Sequence, residues 1–465
     1  MHCTRGKFIG ALVALTPLLM GPAGAAAAET ALVIEHVTLI DGTGHAAQPD
    51  MTVVMDGGRF QKVGPSALAM SVAGRHIDGR GKFLIPGLMD MHIHLRGGTV
   101  INKDGVSKTT VTLEQGRAEG TAALHSFLYC GVTSVFDAGN VPDFIFGLRD
   151  EERSGKLLAP RIFAAGGIVT APGSHGSGNG STDVESWPQA KPALDAAFAR
   201  KPDLVKITLE EHGWGARPMI PLLDLGLMEH IIEYANDHGI RTTIHISSEL
   251  RAREAIFAGA DNLAHPPVQG PVSDSFIKLM GAKRVPMVTT LTIGENYSRL
   301  VEHPEYLDQP FYKASLSASE IAMLKSARRD EYSKSLWTWY WKLMTPQAED
   351  NVRKLHEGGA TLVLGTDQTS GPATHREMEL LAAAGIAPAA IIRIATLNAA
   401  TFLGREKDMG SIEAGKLADA VLLNADPTVT IENAKAIALV IKGGEIVDES
   451  RLELAGGKVA RRYAP

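Results

Sequence analysis

The chain has 465 residues, of which 45% are hydrophobic and 21% are charged, and its formal net charge is −6. These proportions are typical of a globular protein and exclude wholesale disorder, and the negative net charge leaves no basic footprint for nucleic acid. A single domain usually takes about 100–200 residues and barrels run longer, so the length predicts one large barrel with a smaller domain.

The first 28 residues have the pattern of a secretory signal peptide. Arg5 and Lys7 precede an apolar run over residues 8–20, and small residues follow up to an expected cleavage site near Ala26 or Ala28. The apolar run is shorter than the ~20 residues that span a bilayer. We therefore expect a periplasmic or secreted protein with no membrane contact after cleavage. Cys130 is then the single cysteine, so we expect a buried hydrophobe and no internal disulfide.

Short β-rich runs with Asp-Gly turns mark both ends of the mature chain. They lie at residues 32–34, 37–40, 51–55, 420–423, 438–441 and 445–447. Because these ends flank one central region, we expect them to pair and to form one small β-sandwich. Its first part would be residues 29–85 and its second part residues 403–465.

The central region alternates strand-like with helix-like segments. The predicted strands are residues 88–92, 134–137, 161–164, 204–207, 242–246, 262–265, 287–291 and 361–365. Amphipathic helical stretches lie between most of them, for example at residues 227–236, 249–258 and 348–357. Repeated βα units indicate a parallel sheet. Eight of them predict an α/β fold with a (β/α)8 TIM barrel over residues 86–402.

A long insertion separates the seventh predicted strand from the helix before the eighth. Residues 337–341 within it are Trp, Thr, Trp, Tyr and Trp. Insertions at this end of a barrel lie over the face where loops contact substrate. The aromatic side chains either pack the insertion onto the barrel or form a lid or aromatic substrate wall.

Histidines end three of the predicted strands. His92 and His94 are two residues apart, so both side chains point to one face of a strand and can bind one metal ion. His245 and His265 end neighbouring strands, which places them side by side. Each histidine taken alone is more often a hydrogen-bonded core or surface residue.

Two further strand positions carry ionisable side chains. Asp367 follows the eighth strand, where a carboxylate can bind metal and take a proton from water, or can serve as a helix cap. Lys206 interrupts an apolar strand. A buried lysine is costly unless it has a partner, so we expect a neighbouring carboxylate or a modified side chain.

Several sequence motifs are shared with one known family. They are IDGTG (40–44), PGLMDMHIH (86–94), GVTSVFDAG (131–139), GTD (365–367), TLNAA (396–400) and GSIEAGKLADA (410–420). Together they resemble the amidohydrolase superfamily of metal-dependent hydrolases across essentially the whole mature chain. The nearest similarity is to its imidazolonepropionase-like and prolidase-like branch, which hydrolyses dipeptides, N-acyl amino acids and related amides.

The resemblance implies a site with two divalent metal ions, with zinc as the default for nitrogen and oxygen ligands. By resemblance, Lys206 is N-carboxylated and bridges the two ions. The other implied ligands are His92, His94 and Asp367 for one ion, and His245 and His265 for the other. A single-ion site without carboxylation stays open.

The function that the resemblance implies is cleavage of a C–N bond in a small molecule by metal-activated hydroxide. Asp367 would receive the proton and pass it to the leaving amine. From their positions after predicted strands, His175, His212 and Arg376 are the expected substrate contacts; the alternatives are a loop-capping role for His175, a solvated side chain for His212 and a surface position for Arg376. Asp137 resembles a recurrent family position and is expected to support the ligands. A lactone or ester hydrolase on the same core, and a metal-containing binding protein without catalysis, are the alternatives. Association into a homo-oligomer stays open.

Overall fold

The computed structural model describes residues 31–68, 72–96, 99–101, 107–109, 113–178, 180–214, 219–459 and 462. The predicted signal peptide lies outside these residues. Within them, no helix combines the length and the apolar character needed to cross a membrane.

The strands define a small sheet at the chain ends and a larger set in the centre. In chain order they are β1 (Ala31–Leu39), β2 (Gln48–Asp56), β3 (Arg59–Pro65), β4 (Gly74–Asp78), β5 (Phe83–Pro86), β6 (Leu88–Ile93), β7 (Thr99–Ile101), β8 (Ser107–Thr109), β9 (Val132–Asp137), β10 (Arg161–Ala164), β11 (Val169–Thr170), β12 (Thr182–Asp183), β13 (Leu204–Thr208), β14 (Arg241–His245), β15 (Asn262–Leu263), β16 (Met287–Val288), β17 (Leu362–Val363), β18 (Ala420–Leu423), β19 (Ile437–Lys442) and β20 (Glu445–Ile446).

Helices follow most of the central strands. They are α1 (Leu113–Tyr129), α2 (Pro142–Arg153), α3 (Trp187–Phe198), α4 (Leu225–Asp237), α5 (Glu249–Phe257), α6 (Asp274–Lys283), α7 (Leu291–Glu302), α8 (Pro310–Ser315), α9 (Ala318–Met323), α10 (Arg329–Ser333), α11 (Leu336–Glu357), α12 (Pro372–Ala383), α13 (Pro388–Ile394) and α14 (Leu397–Phe402).

The two chain ends meet in one sheet. Its hydrogen-bonded order is β20-β19-β18-β5-β1-β2-β3, with β4 also paired to β1. The junction is antiparallel and sets Leu422 of β18 opposite Leu84 of β5; both side chains are buried in one apolar cluster. The expected pairing of the ends is therefore observed as a single eight-stranded sheet, while its arrangement as a two-layer sandwich stays a prediction.

The central strands follow one another around a ring. One parallel sheet contains β6, β9 and β10, and another contains β13 to β17 in chain order. At one junction the Asp203 amide donates to the Ala164 carbonyl (2.9 Å), and at the other the Met91 amide donates to the Leu364 carbonyl (2.9 Å). This arrangement is consistent with the predicted (β/α)8 barrel, and each of the eight predicted strands overlaps an observed one.

The insertion between β16 and β17 is helical, from α7 to α11. The predicted helix 348–357 is only the last part of α11, which begins at Leu336 and continues through Pro346. Residues 337–341 are thus the first turns of a helix, which Ser335 caps through the Trp337 amide (3.2 Å). Trp341 is 3% exposed, whereas Trp339 is 61% exposed, so only some of these aromatic side chains pack inward.

Candidate metal centre

The histidines and the carboxylate predicted from the sequence converge at the carboxyl ends of the barrel strands. His92 belongs to β6 and His245 ends β14. His94, His265 and Asp367 each follow their strands by one to four residues. Because parallel strands point their carboxyl ends the same way, these side chains meet on one face of the barrel, where barrel enzymes hold their active sites.

His92, His94 and Asp367 form the tightest group. The Asp367 Oδ1 atom lies 3.4 Å from His94 Nε2 and 3.9 Å from His92 Nε2, and the three potential ligand atoms lie within 4.8 Å of one another. Asp367 adopts a positive φ of 54°, a conformation that Asp and Asn tolerate better than most residues. Two imidazole nitrogens and one carboxylate oxygen suit a divalent ion such as zinc.

Lys206 lies directly beside this group. Its side chain is 2% exposed, and its Nζ atom is 3.3 Å from His92 Nε2. Burial lowers the pKa of Lys206 to about 7, against the opposing pull of the Asp367 and Asp137 carboxylates. The neutral amine is therefore well populated near neutral pH, and the neutral amine is the form that can add CO₂.

His245 and His265 complete the cluster. Their ring centroids are 4.4 Å apart, and that of His265 is 4.5 Å from the His92 ring. Burial holds the pKa values of His92, His245 and His265 well below the usual range, so all three are neutral, the form that binds metal. In the described part of the chain the buried His245 Nε2 atom has no hydrogen-bond partner. A metal ion would satisfy it.

The other ring nitrogen of three of these histidines is held by a neighbouring oxygen. A carbonyl oxygen can only accept, so a Nδ1 atom bound to one carries the proton and leaves the Nε2 lone pair toward the cluster. The contacts are His92 Nδ1 with the Ala264 carbonyl (3.0 Å), His94 Nδ1 with the Gly139 carbonyl (2.8 Å) and His265 Nδ1 with the Thr290 hydroxyl (2.9 Å).

Asp90 ties the first barrel strand to the eighth, a role that sequence reasoning missed. Its buried carboxylate accepts from the Thr366 amide (3.1 Å) and hydroxyl (2.9 Å) and from the Thr374 hydroxyl (2.9 Å). Burial raises the pKa of Asp90 to about 7. At Gly365 a Cβ atom would lie 2.8 Å from the His92 Cβ, so only glycine lets the strands that lead to His92 and Asp367 approach this closely.

Asp137 is connected to His94 through the loop between them, while its expected support of a metal ligand stays a prediction. Its carboxylate accepts from the Leu95 amide (2.9 Å), the Gly139 amide (3.1 Å) and the Asn140 side chain (2.9 Å). Those bonds fix the loop whose Gly139 carbonyl holds His94. The carboxylate thus helps to orient the His94 ring through the backbone.

The three predicted substrate contacts lie in different surroundings. The His175 ring stacks on the His245 ring with centroids 4.1 Å apart, next to the cluster. The His212 amide donates to Glu210 Oε1 (2.8 Å). Arg376 lies on α12 and donates to Glu295 (2.8 Å) and Glu379 (3.0 Å). Contact of any of the three with substrate stays a prediction.

Trp214 is a neighbour of the cluster that sequence reasoning did not single out. Its ring lies 5.0 Å from the His245 ring and 4.5 Å from the His265 ring, centroid to centroid. Trp341 of α11 packs behind it at 5.4 Å, and the Tyr340 hydroxyl donates to the Trp214 carbonyl. The aromatic segment of the insertion therefore reaches the cluster through Trp214. The sequence feature that could have identified Trp214 is the Gly213-Trp214 pair shortly after the fourth barrel strand.

His375 lies behind the site and predicts an acid-sensitive fold. The buried ring bonds to the Cys130 carbonyl (2.8 Å), and burial lowers the pKa of His375 from 6.5 to about 4. As the pH falls, the His375 ring therefore takes up a proton in the unfolded chain before it does so in the folded one. Its contribution to the free energy of unfolding is complete above about pH 6.5 and is lost as the pH falls toward 4. Between neutral pH and pH 4 the free energy of unfolding should fall by up to ~3 kcal/mol less in His375→Gln than in the unchanged protein. Gln retains a hydrogen-bond donor but does not titrate. Urea unfolding at pH 7 and pH 4.5 measures this difference.

A matched control for that experiment is His303→Gln, because the His303 side chain is 68% exposed. This variant should keep the acid sensitivity of the unchanged protein. Equal acid sensitivity in the His375 variant would show that the buried ring is not the titrating group.

Neutral histidines and a carboxylate at the carboxyl ends of parallel barrel strands define the class of metal-dependent barrel proteins. Within that class the comparison with known families is direct, since the sequence model of the Amidohydrolase family matches residues 83–447. The chain belongs to this family.

Individual relatives agree with this assignment. An imidazolonepropionase from Treponema denticola is 24% identical over 411 residues, which cover 85% of this chain and 92% of that protein. An imidazolonepropionase from Symbiobacterium thermophilum is 32% identical over 153 residues, so the match spans only 35% of that relative's length. Among solved structures, a Xaa-Pro dipeptidase with bound methionine in its active site shares the fold, with a TM-score of 0.72 and 24% identity over 90% of this chain and 100% of that one.

Proposed function

We propose that this chain is an exported hydrolase that uses two divalent metal ions, zinc by default, to cleave the C–N bond of a small amide. The observation that carries the proposal is the cluster of four histidines and Asp367 around Lys206, in which His92, His245 and His265 are buried and have lowered pKa values. Buried polar atoms are normally satisfied by hydrogen bonds, whereas His245 Nε2 in this cluster has none among the described residues, as expected of an atom that binds a metal ion. His92, His94 and Asp367 would hold one ion, His245 and His265 the other, and carboxylated Lys206 would bridge them.

The chain's own residues supply the remaining chemistry. Bound divalent ions would lower the pKa of a water molecule and polarise the carbonyl of the substrate. Asp367 lies beside His92 and His94, where its carboxylate would take the proton from the attacking water and deliver it to the leaving amine. Burial raises the pKa of Asp367, which makes its carboxylate a stronger base for the first of these two proton transfers.

We infer that the substrate is a dipeptide, an N-acyl amino acid or a related cyclic amide. The names of the relatives, imidazolonepropionase and Xaa-Pro dipeptidase, support this range. His175, His212 and Arg376 are the side chains proposed to contact the substrate. Of these, His175 has the most direct support because its ring stacks on His245.

One experiment tests the core of the proposal. The purified protein is assayed for metal content and then offered a panel of dipeptides, N-acyl amino acids, imidazolonepropionate and lactones. We expect about two divalent ions per chain and turnover of at least one C–N substrate. Turnover confined to lactones would favour the ester-hydrolase alternative, and full metal occupancy without any turnover would favour a binding protein.

Export is tested separately. The chain is produced with its first 28 residues in a bacterial host, and the N-terminus of the mature protein is sequenced. Cleavage near residue 28, with the product outside the cytoplasm, is expected. An intact N-terminus on a cytoplasmic product would contradict export without touching the catalytic proposal.

A further inference from the structure

The start of helix α7 is capped in an unusual way. Thr290 occupies the position that precedes the helix, where a threonine hydroxyl normally accepts a bond from the helix's own amides, yet its side chain caps nothing in α7. The Thr290 hydroxyl is instead 2.9 Å from His265 Nδ1. The residue that could cap the helix is therefore committed to a residue of the proposed metal centre.

Glu377 of α12 supplies the missing cap from another element. Its carboxylate accepts from the Leu291 amide (2.9 Å), the Thr292 amide (2.8 Å) and the Thr289 hydroxyl (2.6 Å), and also from the Thr292 hydroxyl. The side chain is 0% exposed. A carboxylate only accepts hydrogen bonds, so it satisfies all four donors at once and complements the positive end of the helix.

The backbone between these contacts is strained. Thr290 has a φ of 36° and a ψ of 40°, in the left-handed region that a β-branched residue rarely adopts. Glu377 binds residues on both sides of Thr290, which holds the turn in this conformation. In the turn, the Thr290 amide donates to the Gly365 carbonyl (3.0 Å), next to Asp367.

We propose that Glu377 is a positioning residue for His265. By capping α7 from α12, it frees the Thr290 hydroxyl to hold His265 Nδ1 and so aims His265 Nε2 at the metal site. The proposal rests on the proposed metal function, and it adds a residue that contacts neither metal nor substrate and lies 112 positions from the histidine in the sequence.

The test measures metal affinity by titrating the metal-free protein with zinc against a chromophoric chelator, which needs no substrate. We expect Thr290→Val to weaken one of the two binding steps by about 10- to 100-fold, as loss of a ligand's supporting bond commonly does, and Thr290→Ser to retain the affinity. Glu377→Gln should weaken the same step by a similar factor, because its amide nitrogen would face donors. Glu379→Gln is the matched control on the same helix and should leave both steps unchanged.

The double variant Glu377→Gln with Thr290→Val separates positioning from a general structural role. If both residues act through one hydrogen bond, the double variant should lose no more affinity than Thr290→Val alone. Additive losses, or a Glu377→Gln protein that melts earlier but binds zinc normally, would overturn the inference. If Glu377→Gln does not fold, Thr292→Val removes one donor to the same carboxylate and should give a smaller loss at the same step; unchanged affinity in it would overturn the inference too.

The same titration separates this inference from the proposed function. If the unchanged protein binds no divalent ion, both the proposed function and the positioning role of Glu377 are wrong. If the unchanged protein binds zinc tightly and the variants bind it equally well, only the positioning role of Glu377 is wrong.

Discussion

Replacing Asp367 by Asn should abolish nearly all turnover while leaving metal in the site. We expect a loss of about 10³-fold or more in kcat, the scale of a general acid–base group. The Asn side chain keeps an oxygen that can bind metal, and Asn tolerates the positive φ of 54° at this position. The variant therefore removes proton transfer with little change in backbone conformation. Metal analysis measures whether the metal is retained, and steady-state kinetics measures the loss in kcat.

The control for that variant is Asp143→Asn, because the Asp143 side chain is 82% exposed and pairs with Arg200 on the surface. It should retain full activity. A fully active Asp367→Asn protein would exclude Asp367 as the proton carrier. An inactive variant that has also lost its metal would restrict Asp367 to the role of a ligand.

The sequence predicted the barrel strands and the ionisable side chains at their ends because both depend on local patterns. Each strand is a short run rich in apolar residues, and His245 and Asp367 are visible as ionisable residues at or just after the end of such a run. The family resemblance then ordered these ligands into one site. The structure brings His92, His94 and Asp367 together at distances that no local pattern contains.

The parts that sequence reasoning missed depend on contacts between distant segments. No local pattern in the sequence marks Glu377, and only the fold brings it to the Leu291 amide, next to Thr290. The sequence predicted a helix only over residues 348–357, yet α11 begins at Leu336 and continues through Pro346, a residue type that disfavours a helix interior. The first turns of α11, before Pro346, are stabilised by a contact with a distant segment: Trp341 packs against Trp214.

Replacing Lys206 by Ala should lower the metal content of the protein. The side chain is buried, its Nζ atom is 3.3 Å from His92 Nε2, and its pKa is lowered to about 7. A carboxylated lysine would turn this costly buried cation into an anionic oxygen ligand shared by both ions. We therefore expect metal content to fall from about two ions per chain to one or fewer, with a loss of activity of about 10²-fold or more, the upper range for lost ligand support.

Chemical rescue distinguishes a carboxylated lysine from a merely buried one. Lys206→Ala leaves a space in which acetate or propionate could stand in for the missing carboxylate, so added short carboxylic acids should restore part of the metal content and activity. Lys206→Arg is the matched control, because its guanidinium fills the space, stays charged and cannot be carboxylated; it should lose metal without rescue. Unchanged metal content in Lys206→Ala would refute the bridge and favour a site in which the histidines and Asp367 bind metal without Lys206.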